Sequence, residues 1–206
     1  MRFIKTFLLG ALLSLSSLAQ SEVVSFQVDS AGFLVGNYAY LKVEGVDVFY
    51  GLSGRGVNLA IVDPFTGAVL DNASFDTHGS YDASAELTSY INNLINGQIV
   101  LLAVRDAATR RFYEDAQLAL QSLGASMGNV TTLGHRASYA LIGIVGAGVG
   151  TRSDFEAFNA TAGVSVSGSL QLSDAPVLVS APLPLTAFLF AVGLLGVNVR
   201  RLRVKK

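Results

Sequence analysis

The spacing of apolar positions divides this chain into four kinds of segment. Thr6–Leu18 and Leu185–Val199 are nearly continuous apolar runs. Val23–Val28, Tyr38–Val43, Val46–Tyr50, Val57–Val62 and Ala68–Phe75 are short runs rich in β-branched and aromatic residues, broken by turn residues, and they predict strands. Glu44-Gly45 is a two-residue link that predicts a hairpin, and Asp63-Pro64-Phe65-Thr66-Gly67 has turn chemistry throughout. The period then changes. Leu87, Tyr90, Ile91, Leu94 and Ile95 recur at helical spacing, which predicts an amphipathic helix capped by Ser80 or Asp82 and stopped by Gly97. Ile99–Val104 is an unbroken apolar run and predicts a central strand. Asp106 follows in position to cap a second helix with the stripe Phe112, Ala116, Ala119, Leu120 and Leu123, ended by Gly124. Tyr139–Val145 predicts another buried strand, and Gly146–Gly150 a flexible link. Val164, Val166, Leu170 and Leu172 alternate with Ser165, Ser167, Ser169 and Gln171, a strand with one wet face. The pattern predicts an α+β domain: a compact two-sheet β fold with two short helices.

The two apolar ends change the picture of where the domain works. Arg2 and Lys5 precede the first run and Ser17-Leu18-Ala19 closes it, the form of a secretory signal cleaved after Ala19 by signal peptidase; an uncleaved anchor is the alternative. The second run, taken with Ala181–Pro184, is long enough to cross a hydrocarbon core of about 30 Å as a helix. It ends in Arg200-Arg201-Leu202-Arg203-Val204-Lys205-Lys206, a basic cluster that holds that end in the cytoplasm. Removing both ends leaves roughly 155–160 residues, one domain by length. The expected organisation is signal peptide 1–19, working domain 20–149, extra strand and spacer 150–180, and membrane tail 181–206.

Composition narrows the chemistry. The chain has no cysteine, which removes disulfides and thiolate catalysis. Its formal net charge of −1 argues against nucleic acid as a partner, and part of the basic charge sits in the tail. His78 and His135 are the two histidines and lie far apart in sequence without metal-ligand spacing, so no metal or other cofactor is expected. Asp76, His78 and Ser80 share one loop, a weak basis for a triad. Glu86 and Glu114 read as solvated helix faces rather than a glycosidase pair. Arg55 and Asn58 read as loop-stabilising residues. Gly51–Gly56 has half the spacing of a dinucleotide fingerprint but leads into a strand, not a helix, which excludes nucleotide binding.

Two resemblances rest on these residues. Pro182-Leu183-Pro184, the following apolar run and Arg200-Arg201 resemble the PEP-CTERM sorting tails of Gram-negative bacteria, which an exosortase recognises. The tail has Pro-Leu-Pro where the family has Val-Pro-Glu-Pro, and an ordinary single-pass membrane anchor is the alternative. The core carries Ser30-Ala31-Gly32-Phe33, Gly36-Asn37-Tyr38-Ala39, Gly54-Arg55-Gly56-Val57-Asn58, Gly97-Gln98-Ile99-Val100-Leu101 and Arg136-Ala137-Ser138-Tyr139-Ala140-Leu141-Ile142-Gly143 in order. This series resembles the interleukin-like epithelial–mesenchymal-transition inducer domain, also called PANDER-like or GG. The resemblance implies a compact β fold without an active site, found in secreted cytokine-like proteins and in a glycosyltransferase stem that binds sugar. It implies ligand contacts at Asp106 and Arg136, with Tyr139 in the place of a family tryptophan. The expected function is therefore a non-enzymatic, exported interaction domain at the cell envelope or matrix, with extracellular polysaccharide as candidate partner. A hydrolase of cell-surface glycans and a purely structural matrix protein are the alternatives.

Overall fold

The computed structural model describes residues 23–49 and 53–172. The signal cleavage at Ala19 and the tail residues Pro182, Leu183, Pro184, Arg200 and Arg201 lie outside them. Among the described residues no helix is long and apolar enough to cross a membrane.

The domain is a mixed sheet of nine strands with three short α-helices. The strands are β1 (Val23–Gly32), β2 (Ala39–Val43), β3 (Val46–Asp47), β4 (Gly56–Val62), β5 (Val69–Phe75), β6 (Ile99–Asp106), β7 (Ser138–Ile144), β8 (Glu156–Asn159) and β9 (Val164–Gln171). The helices are α1 (Ala83–Asn92), α2 (Glu114–Ser122) and α3 (Met127–Thr132). β3, β2, β1 and β9 form a front layer of antiparallel pairs. β5, β4, β6, β7 and β8 form a back layer, also antiparallel. The layers join at one point: the end of β1 runs parallel to the end of β6, with Ala31 opposite Arg105 and Gly32 opposite Asp106.

The unbroken apolar runs of β4, β6 and β7 follow from this layering. Successive strand residues point to opposite faces, and the back layer is covered on both. Leu101 and Ala103 of β6, with Ala60, Ala140 and Ile142, pack against Phe26, Val28, Leu41 and Val166 of the front layer. Val100, Leu102 and Val104, with Leu59, Ile61 and Leu141, pack against Leu87, Ile91, Ala116 and Leu120 of the helices. The front layer has one covered face, so its strands alternate: β9 buries Val166 and exposes Ser165, Ser167 and Ser169.

Several boundaries differ from the pattern-based reading. β1 runs through Asp29-Ser30-Ala31 to Gly32, because Ser30 finds partners inside the core. Its Oγ donates to the Val104 carbonyl and accepts the Tyr139 N–H at 3.0 Å, while Ser138 Oγ accepts the Gly32 N–H at 3.0 Å. These hydroxyls do the work of ladder bonds where the layers meet. The 44–45 link is a hairpin turn as expected, with Glu44 at φ 50° and Gly45 at φ 76°, the positive pair that a type I′ turn requires; its second strand, however, keeps only two residues. α1 ends at Asn92, so Ile95 falls past the helix and stays exposed. Asp82 occupies the N-cap position of α1 without a side-chain cap bond. α3 and β8 lack a long enough apolar period to be read from sequence. The 146–150 segment is a hydrogen-bonded turn: Gly146 N–H reaches the Ser122 carbonyl at 3.1 Å and Gly150 N–H the Ala125 carbonyl at 2.9 Å.

Candidate functional site

The ends of β1, β4, β6 and β7 converge on one rim of the domain, and the polar residues singled out in the sequence gather there. Asp106 is the last residue of β6 and sits at φ 64°. It caps no helix: α2 begins at Glu114, with Tyr113 in the cap position. The chain needs the left-handed turn at Asp106 to leave the strand, and Asp tolerates that region better than most residues. Arg136, two residues before β7, is also left-handed at φ 62°. Gly32 ties the two together. It is the ladder partner of Asp106, and a Cβ on it would stand 1.8 Å from the Arg136 carbonyl oxygen. Only a glycine allows the three backbones to approach this closely.

Arg136 and Asp106 form no ion pair with each other. Its guanidinium lies over the Phe33 ring, 4.6 Å from the centroid. The ion pairs among the described residues are Lys42–Asp29 and Arg55–Asp76. The second is bidentate, with Arg55 Nε and Nη2 donating to the two Asp76 oxygens at 2.9 and 2.6 Å. The Arg55 hydrogen bonds hold the Asp76 carboxyl below the usual carboxylate range, helped by the Gly79 N–H. Both Asp76 oxygens are thereby engaged by Arg55. Asn58 is fully buried; it accepts the Gly54 N–H at 2.8 Å and donates to the Gly54 carbonyl at 3.0 Å, fixing the loop before β4.

Tyr139 is displaced from the ligand role by the layering itself. It is a core residue of β7, fully buried beneath the helices, and its hydroxyl donates to Glu156 at 2.6 Å. Burial and the Glu156 carboxylate push its ionisation well above the ordinary tyrosine value. It has no surface to offer a ligand.

What sequence spacing missed is the approach of the two histidines. Their rings lie 5.3 Å apart, centroid to centroid, across 57 residues of chain. His78 Nδ1 is buried without a hydrogen-bond partner. Burial lowers the His78 pKa, and Arg55, His135 and Arg110 lower it further. Arg111 extends the same rim: its guanidinium sits 3.5 Å from the centroid of the exposed Tyr81 ring and donates to the Gly79 carbonyl. Among the described residues no three His, Cys, Asp or Glu side chains gather to hold a metal ion. Glu86 and Glu114 are both exposed on helix surfaces.

Residues 55–147, from the start of β4 through β7, match the family model of the interleukin-like EMT inducer. That segment is similar to the interleukin-like EMT inducer family. The chain is also similar to a cell surface hyaluronidase of Danio rerio, 34% identical over 125 residues, which is 60% of this chain and 8% of that protein. Protein FAM3C of Rattus norvegicus is 33% identical over 103 residues, 50% of this chain and 43% of that protein. The cell migration-inducing and hyaluronan-binding protein of Homo sapiens is 32% identical over 92 residues, 45% of this chain and 7% of that protein. The similarity thus spans less than half the length of each relative. β1, β2, β3, β8 and β9 lie outside the matched segment, although β1 supplies Gly32 to the rim.

Proposed function

We propose that this protein is exported and acts outside the cell as a non-enzymatic interaction domain that binds carbohydrate at the Asp106–Arg136 rim. The observation that carries the reading is the backbone. Two residues of opposite charge both have left-handed backbones, and the backbone of each lies against Gly32. Such conformations cost roughly 1–3 kcal/mol each and persist where the surroundings over-determine them, often at ligand sites. A carboxylate and a guanidinium held in place offer an acceptor and a fork of donors to sugar hydroxyls, and hydrogen bonds to charged groups are the stronger kind. A cell surface location is consistent with relatives whose names include a cell surface hyaluronidase and a hyaluronan-binding protein.

The test is calorimetric titration of the purified protein with a panel of neutral and acidic oligosaccharides. Binding that Asp106→Asn and Arg136→Ala each weaken at least about tenfold, or about 1.4 kcal/mol, supports the reading. Absence of binding at millimolar sugar, or turnover of the oligosaccharide that Asp106→Asn abolishes, overturns it.

Export follows the arrangement of the two ends. Signal peptidase acts after Ala19, and the Pro182-Leu183-Pro184 motif with Arg200-Arg201 directs the chain to an exosortase, leaving residues 20 to about 180 as the mature protein. Mass spectrometry of the exported protein checks this. A mature species lacking both ends is the expected result, and a species retaining Leu185–Lys206 favours a permanent single-pass anchor.

A further inference from the structure

The described domain is acidic, yet its basic residues are not scattered. Apart from Lys42 and Arg152, all of them, namely Arg55, Arg105, Arg110, Arg111 and Arg136, belong to the rim that carries Asp106. Two are already neutralised or satisfied: Arg55 by Asp76, and Arg105 by the carbonyls of Asn37 and Ser53. Arg110, Arg111 and Arg136 have no carboxylate partner among the described residues. The Arg111 and Arg136 guanidiniums lie over exposed aromatic rings, Tyr81 and Phe33, at 3.5 and 4.6 Å from the centroids. A guanidinium over a ring can still present N–H groups as a planar fork matched to a planar carboxylate; Arg111 gives its Nη1 to the Gly79 carbonyl and has Nε and Nη2 left for a ligand. The His78–His135 contact links the two arms of this surface, since His78 lies two residues from Ser80 and Tyr81 follows it, while His135 adjoins Arg136. The arginines around His78 make the rim hostile to a metal cation and favourable to an anion.

From this we propose, resting on the carbohydrate reading of the same rim, that its ligand is a carboxylate-bearing polysaccharide, a chain of sugars in which uronate residues recur. Arg111 and Arg136 each take one uronate carboxylate, and Asp106 takes hydroxyls of a sugar between them. The chemistry disfavours denser polyanions. The acidic starts of α1 and α2, Asp82 and Glu114-Asp115, border the rim beside Tyr81 and Tyr113, and Asp76 and Asp106 lie within it. A ligand with a charge on every residue would meet these carboxylates, whereas widely spaced carboxylates would not.

The experiment titrates the purified protein with size-matched neutral, uronate-containing and sulfated oligosaccharides at two salt concentrations. The expected result is at least about tenfold tighter binding of the uronate chain than of the neutral one, weakening with salt as a surface charge contact must. Arg136→Lys should lose about as much uronate affinity as Arg136→Ala, because lysine keeps the charge and loses the fork; Arg111→Lys should behave alike. Equal affinity for neutral and uronate chains overturns this inference and leaves the carbohydrate reading standing. Tighter binding of the sulfated chain, with full rescue by Arg136→Lys, also overturns it, since the rim would then be a general polyanion surface. Binding of no sugar defeats both.

Discussion

Gly32 carries more of the site than any charged residue, although it contributes no side chain. Its neighbour across the seam is the Arg136 carbonyl, so Gly32→Ala must push two strand ends apart. We expect a loss of about 3 kcal/mol or more in urea denaturation, at the upper end of the usual range for overpacking. Asp106 and Arg136 behave in the opposite sense. Glycine at either position relieves the left-handed conformation, so Asp106→Gly and Arg136→Gly should leave stability unchanged or raise it by up to about 1–2 kcal/mol while removing binding. A residue kept at a site for packing alone would show the reverse. Asp76 supplies a pH signature. Its pKa is lowered in the folded protein by Arg55, so its contribution is present above the ordinary aspartate range and is lost as pH falls through the lowered value. Asp76→Asn should therefore cost no more than about 1 kcal/mol near neutrality, because the pair is partly exposed, and the gap between variant and parent should close on acidification. His78 acts with the other sign. Its depressed pKa means the unfolded chain takes up the proton more readily, so stability rises as pH climbs through the histidine range. His78→Gln should flatten that rise in a series of urea melts.

The elements show how much a pattern can convey. β4, β6 and β7 stand out in the sequence because both faces of the back layer are covered, which turns alternation into continuous apolar runs. Val166 and its serine neighbours announce β9 because only one face of the front layer is covered. α1 and α2 are legible for the same reason, each adding a helical stripe to the core that holds Val100, Leu102 and Val104. α3 and β8 are too short to show a period. β1 extends past Asp29 because Ser30 is satisfied by Val104 and Tyr139, distant partners that no local pattern reveals. The site was partly legible too: Asp106 and Arg136 follow from the family series, but their left-handed backbones and the histidine contact depend on strands brought together by the seam. β9 lies beyond the family match yet pairs with β1 along eight residues, from Val23 opposite Gln171 to Ser30 opposite Val164. Truncation after Gly163 strips Val166 and Leu172 from the core, and we expect the cooperative urea transition to be lost. A truncated protein that melts like the parent would show that the strand is an accessory.

At the scale of the molecule, the layered sheet separates stability from recognition. The two cores lie on either face of β4, β6 and β7, away from the strand ends, and the rim collects arginines on an otherwise acidic domain. A surface of that kind draws an anionic ligand by charge and selects it by the geometry of fixed guanidinium forks. Calorimetric titration of the purified protein with a uronate-containing oligosaccharide, beside its neutral counterpart, tests this most directly. Saturable, salt-weakened binding of the uronate chain, impaired by both Arg136→Ala and Arg136→Lys, is the expected result. Failure of every oligosaccharide to bind at millimolar concentration would contradict it.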